Sequence, residues 1–312
     1  MPVKARAVVS VALWIAIVYF FVLVLRQVDW HAVASHRLHV PLALLVLVIG
    51  TASRFLLPVV WATVLSSLEG KPMRPRVLLW PYAESWMARY LPGKVAFIGT
   101  RVLAANRYGY SMVNAIISGG VEVVMQIVFV TMLSVLLLGL GVRSTLPFNV
   151  LPVVALAVAL GLLISPPVLR RLVDLYLHFQ NKTDASVSYL SWSAISRAAL
   201  VLSMMYVVQS TYSILLAQSL GMTVEGHRLV FLGAIFVSTI AGIVAFFAPG
   251  GIGVRELVFV QLLQVWFPKD QLVSFAIFWR LAETLMDLLF VMIAKAVVVS
   301  GFSRTVILSR DE

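Results

Sequence analysis

Six stretches of this chain hold enough consecutive apolar residues to cross a lipid bilayer, and nothing else limits the fold as strongly. They run at about 7–25, 41–67, 112–140, 147–168, 195–219 and 271–299; a spanning helix needs about 20 such residues. Lipid offers backbone N–H and C=O groups no partner, so each run must satisfy its own as a helix. The rest of the chain agrees. Of 312 residues, 61% are hydrophobic and 12% charged, more apolar surface than a soluble domain can cover. The expectation is an all-α integral membrane protein forming one domain over residues 1–312. The first run lacks a small-x-small cleavage site and reads as a retained helix rather than a signal peptide. The sequence contains no cysteine, which excludes disulfides, thiol catalysis and thiolate metal sites. It contains no Walker A pattern, so ATP hydrolysis is not expected. No cofactor and no metal is expected either. The net charge of +11 is that of basic loops on the inner side of a membrane, not of a nucleic-acid partner.

Two further segments are too broken to span simply. Residues 78–107 contain "ESWMARYLPGKVAFIGTR", and residues 229–266 contain "AFFAPGGIGVRELVF". Each has a Pro-Gly near its middle, where a helix must stop or bend. Non-helical backbone at membrane depth survives only where protein buries it or water lines it. Both segments therefore read as re-entrant helical hairpins that leave on the side they entered. With the N-terminus inside, six crossings and two hairpins place ten basic residues inside: Lys4, Arg6, Lys71, Arg74, Arg76, Arg170, Arg171, Lys182, Arg304 and Arg310. Five fall outside, namely Arg26, Arg37, Arg143, Arg228 and Lys269. That asymmetry follows the positive-inside rule with both termini cytoplasmic.

Under this topology the chain divides into two halves facing opposite ways, the inverted-repeat plan of many secondary transporters. Half one is about 7–140 with its hairpin at 78–107, and half two about 147–299 with its hairpin at 229–266. "AIISGGVEVVMQI" (115–127) aligns without a gap on "AIFWRLAETLMDL" (276–288). Glu122 then falls on Glu283, Met125 on Met286 and Gln126 on Asp287. A matched intramembrane Glu is the informative pair, because apolar matches come cheaply in such helices. The breaks correspond as well: Pro92-Gly93 is followed by Arg101, and Pro249-Gly250 by Arg255, at spacings of nine and six.

An ionised side chain at a helix centre costs about 2.5–3.5 kcal/mol on insertion scales and needs a partner or a purpose. The candidates are Arg54, Glu122, Arg255, Glu256, Arg280, Glu283 and Asp287. Arg280, Glu283 and Asp287 share one helical face, which must look inward. Simple pairing is one reading: Arg280 with Glu283 along the helix, and Arg255 or Arg54 with Glu122. The clustering beside two Pro-Gly breaks favours a transport site instead. Backbone N–H groups at Gly250, Gly251 and Gly253 are suited to an anion. The expectation is that Arg101 and Arg255 hold a phosphate-bearing head group from opposite sides, with Arg54, Glu256 and Arg280 also in the binding site. Glu122, Glu283 and Asp287 then balance the arginines or carry a coupling proton.

Other features are weaker. His31, His36 and His39 lie in one wet interfacial loop. Residues 169–182 read as an amphipathic surface helix. Trp80-Pro81-Tyr82 reads as an interfacial turn with ordinary belt aromatics. Glu84 and Arg89 are further candidates for the cavity.

"RYLPGKVAFIGTRVLAANRYGYS" (89–111) together with "APGGIGVRE" (248–256) resembles the lysylphosphatidylglycerol synthase/flippase transmembrane family, over nearly the whole chain. The resemblance implies a flippase-like domain that moves a lipid head group across the cytoplasmic (inner) membrane: a phospholipid, an aminoacyl-phospholipid or a polyprenyl-phosphate sugar. It implies membrane lipids, and a lipid- or glycan-synthesising enzyme, as partners. In two-part members a soluble domain on the C-terminal side makes the aminoacyl-lipid; with the chain ending at Glu312, that synthase activity is not expected. The alternatives are a membrane-embedded transferase using Glu122, Glu283 or Asp287 as base, and a scaffold for a lipid or glycan assembly complex.

Overall fold

The computed structural model describes residues 38–73, 75–90, 95–107, 109–142, 165–179, 190–245, 249–251 and 253–308, with isolated positions between 155 and 162. Every regular element among them is helical. In chain order these are α1 (Val40–Arg54), α2 (Leu56–Glu69), α3 (Pro75–Met87), α4 (Val95–Arg107), α5 (Met112–Val142), α6 (Pro166–Phe179), α7 (Trp192–Ser219), α8 (Arg228–Val244), α9 (Val254–Leu263) and α10 (Lys269–Leu308). Single 3₁₀ turns sit at Ala88–Tyr90 and Pro249–Gly251.

Three runs among the described residues are long and apolar enough to cross a membrane: Val40–Glu69, Met112–Val142 and Trp192–Ser219. They coincide with the predicted spans at 41–67, 112–140 and 195–219. The predicted span at 271–299 lies inside α10. The span at 7–25 falls outside the described residues, as does nearly all of that at 147–168. The outer surface is what lipid requires. Along α7, Leu200, Met204 and Val207 recur at helical spacing and are all more than half exposed, whereas Gln209 and Ser213 of the same helix are buried. Polar residues inside and apolar residues outside is the pattern of a helix packed against protein on one side and hydrocarbon on the other.

The run Val40–Glu69 is interrupted, and its sequence says where. Pro58 has no N–H to offer the carbonyl of Arg54, four residues earlier, and its ring crowds that carbonyl. α1 accordingly stops at Arg54, the Phe55 N–H turns back to Ala52 O at 3.1 Å, and α2 begins at Leu56. Pro58 then sits in the first turn of α2, where no N–H is needed.

Both Pro-Gly segments consist of two helices with an interruption. α3 and α4 are 13 residues each, and α8 and α9 are 17 and 10. Each arm is shorter than a bilayer span, and each pair packs arm against arm. Pro92 and Gly93 lie outside the described residues. At the second break Gly250, Gly251 and Gly253 all have positive φ, of 59°, 74° and 84°. That left-handed backbone costs an ordinary residue about 1–2 kcal/mol, so the glycine run lets the chain reverse there. The two 3₁₀ turns touch each other, which brings the interruptions of both segments to one place.

Two apolar clusters hold the bundle. One gathers around Trp61 of α2 and Tyr82 of α3, and includes Met125 of α5. The other joins Phe231, Phe259 and Phe275 from α8, α9 and α10, whose rings lie 5.0–5.7 Å apart. Trp80-Pro81-Tyr82 forms no interfacial turn. The three residues sit inside α3, and Tyr82 is completely buried. α6 covers most of the predicted amphipathic segment, turning Leu169 and Val173 inward and pairing Arg170 with Asp174 at 4.0 Å on its exposed face.

Candidate functional site

A cavity of about 430 Å³ opens among α1, α2, α3, α5, α7, α8, the second break, α9 and α10. Its sides are apolar: Leu57, Val123, Ile127, Met205, Ile243 and Val244 all contribute. Charge is concentrated in Arg54, Arg89, Arg255 and Glu283, with Gln126, Gln209 and Thr239 as uncharged polar lining. Both interruptions contribute, Arg89 from the first 3₁₀ turn and Gly250 from the second.

The charged groups are cross-connected. Asp287 accepts from Arg54 Nε at 3.1 Å, from the Trp86 indole N–H at 3.0 Å and from Arg89. Glu283 accepts from Arg255 through Nη1 at 2.7 Å and lies 3.8 Å from Arg54 Nη2. Arg255 also donates to Thr239 Oγ1 at 3.2 Å. Its guanidinium lies 4.7 Å from the centre of the Trp279 ring, and that of Arg89 4.2 Å from Trp86, both within cation–π range. Among the described residues, then, three guanidiniums share two carboxylates. Each group sits where it does for a local reason: Arg54 at the Pro58-induced break, Arg89 at the first turn, Arg255 in the first turn of α9, and Glu283 and Asp287 one turn apart on α10.

A second network lies behind the cavity wall. Glu122 of α5 accepts from Arg101 Nη1 at 2.5 Å, from the Tyr82 hydroxyl at 2.7 Å and from Gln126 Nε2 at 2.9 Å. Arg101 of α4 also donates through Nε to Ser85 Oγ at 3.0 Å and lies over the Tyr82 ring at 4.2 Å.

Several sequence expectations are revised by this geometry. Glu122 is paired by Arg101, not by Arg255 or Arg54. Arg280 does not pair with Glu283 along α10. It donates through Nη1 to Gly250 O at 3.0 Å and lies 4.0 Å from Glu256, bracing the break from behind. Glu256 turns back to accept the Gly253 N–H at 2.7 Å; it caps the N-terminus of α9, and that N–H is engaged by protein. Arg101 and Arg255 do not face one another across the cavity, since Arg101 does not line it. Arg54, Arg255, Glu283 and Asp287 do come together.

A search of family models aligns residues 7–290 with the lysylphosphatidylglycerol synthase TM region. The chain belongs to that family. No curated protein matches it. The lysylphosphatidylglycerol synthase TM region, as matched here, contains both ion-pair networks and the whole cavity lining. Membership and apolar helices together make this an integral membrane protein with a lipid-related role.

Within this lysylphosphatidylglycerol synthase TM region, four residues that complete the networks were not read from sequence as site residues: Tyr82, taken for a belt aromatic, and Ser85, Trp86 and Thr239. For the first three a signal existed. Tyr82, Ser85 and Trp86 recur at i, i+3 and i+4, one polar-aromatic face of α3 that Arg89 continues into the 3₁₀ turn. Gly242 of α8 is a further participant. A Cβ there would lie 2.4 Å from Arg255 Cγ and 2.5 Å from its Cδ, so the glycine makes room for the arginine stem. Gly242→Ala is expected to displace Arg255 and to cost about 1–3 kcal/mol through overpacking, read as a lower melting temperature in detergent. An unchanged melting temperature would show that the stem has other room.

Proposed function

We propose that this protein is a lipid flippase or transporter that moves a phosphate-bearing head group across the cytoplasmic membrane. The carrying observation is the apolar-walled cavity lined by three arginines, which share Glu283 in the lining and Asp287 buried behind it. Among the described residues the lining carries more guanidiniums than carboxylates, a setting that favours an anionic ligand. Guanidinium groups match phosphate oxygens in a planar, two-pronged way that ammonium groups do not. The apolar sides suit the hydrocarbon of the same ligand, and an amphiphile is the class that needs both. Release is built in, because Glu283 stands ready to take Arg255 back when a phosphate leaves. The substrate is a phospholipid, an aminoacyl-phospholipid or a polyprenyl-phosphate sugar. It moves without chemical change, so the protein is a transporter rather than an enzyme. Partners are membrane lipids and an enzyme that makes the transported lipid.

Two short-armed broken segments whose turns meet at the cavity support a re-entrant topology with the halves inverted and both termini cytoplasmic. Transporters built this way place their sites at such breaks.

The test is translocation of head-group-labelled lipids in sealed vesicles containing the purified protein. Anionic, zwitterionic, aminoacylated and polyprenyl-phosphate lipids are compared. Wild type is expected to move one class selectively, and Arg255→Ala and Glu283→Gln to lose about tenfold or more, the equivalent of one charge-assisted hydrogen bond. Folded wild type that moves none of the four would refute the proposal.

A further inference from the structure

The first half repeats, behind the wall, what the second half shows in the cavity. Arg101 and Arg255 each stand on the short helix after a break, α4 and α9. Glu122 and Glu283 each stand on the long helix that follows, α5 and α10. The Nη1–Oε2 distances are 2.5 Å and 2.7 Å. Each guanidinium covers an aromatic ring, Tyr82 in one case and Trp279 in the other. The ungapped alignment independently sets Glu122 on Glu283.

The pairs differ in exposure to the cavity. Arg255 and Glu283 line it. Arg101 is 1% exposed and Glu122 0%, and neither is part of the lining. The wall between is one side chain deep. Gln126 holds Glu122 and lines the cavity, while Trp86 stacks on Tyr82 at 5.9 Å and also lines it. A buried ion pair is a weak stabiliser compared with packed apolar residues, so stability alone does not account for a second copy with the same geometry.

We propose that Arg101 and Glu122 form a second anionic head-group site, closed in the state described here and open toward the opposite membrane face in the alternate state. The inference rests on the transport reading and deepens it. When two halves face opposite ways, an exchange of their conformations turns a cavity open to one face into a cavity open to the other. Arg101 then takes the position Arg255 now holds, and a phosphate displaces Glu122 from it, with Ser85 and Tyr82 as neighbouring polar groups. The head group passes between two equivalent arginine sites, one per half.

The natural absence of cysteine allows a direct test. Single Ser85→Cys and Thr239→Cys variants are placed in right-side-out and inside-out membrane vesicles containing phosphatidylglycerol, and labelled with a membrane-impermeant maleimide. Thr239→Cys is expected to label from one face and Ser85→Cys from the other. Ser118→Cys, equally buried and hydrogen-bonded to Trp61, replaces Ser85→Cys if the latter does not fold. Buried-site labelling from the face that labels Thr239→Cys, or none at all in folded protein, overturns the inference. If wild type moves lipid in the same vesicles while that happens, the transport reading stands and only the second site is lost. If wild type moves none of the lipid classes, the transport reading falls and takes this one with it.

Discussion

Asp287→Ala is expected to destabilise the protein by about 3–5 kcal/mol, the range for removing one member of a buried ion pair. Asp287 is 0% exposed and accepts from Arg54, Arg89 and the Trp86 indole. Truncation strands parts of three donors at once, and two of them carry charge. Glu283, 3.8 Å from Arg54, recovers only part of that. Asp287→Asn keeps the shape and one carbonyl acceptor but loses the charge, so it should fall between wild type and Asp287→Ala. Thermal denaturation in detergent measures all three. A loss below about 1 kcal/mol for Asp287→Ala would mean that water reaches the arginines, the ordinary situation of an exposed pair.

The second large effect concerns Arg101 and Glu122. Glu122→Leu alone leaves a buried guanidinium without its counter-ion, and Arg101→Met alone leaves a buried carboxylate; each is expected to cost about 3–5 kcal/mol. The double variant removes both charges and should recover most of the loss, because replacing a buried pair by packed apolar residues is close to neutral; the single losses then fail to add in the double-mutant cycle by nearly their whole sum. Single effects that simply add would show that the pair is not coupled. The cycle also separates architecture from transport: the double variant is expected to regain its melting temperature and to remain inactive in the vesicle assay. Recovery of both would make the pair a purely structural one.

The positions of the buried carboxylates were legible in the sequence because an acid in an apolar helix is expensive and therefore rare. Glu122, Glu283 and Asp287 stand out for that reason alone, and the alignment of the halves follows from the first two. Their partners were legible only as a set: Arg101 and Arg255 were expected to be balanced by these carboxylates, but which arginine meets which acid was not. Arg280 stands one turn before Glu283, and spacing along the helix suggested a pair; tertiary packing instead turns Glu283 toward α9 and α1, and Arg280 toward the Gly250 carbonyl. Tyr82 escaped because Trp-Pro-Tyr has the composition of a membrane-interface belt, although a proline can continue a helix whose neighbours satisfy the freed carbonyl. The break at Arg54 was written plainly by Pro58, four residues on. Seen only as one long apolar run, residues 41–67 hid it.

That proline has a mechanical consequence. Val40–Glu69 is two rods joined at Arg54 and Phe55 rather than one rod. When either arm of a jointed rod tilts, the joint is the point that travels least. The Arg54 guanidinium sits at that joint, the position at which a tilt of α1 or α2 would move its 3.1 Å contact with Asp287 least.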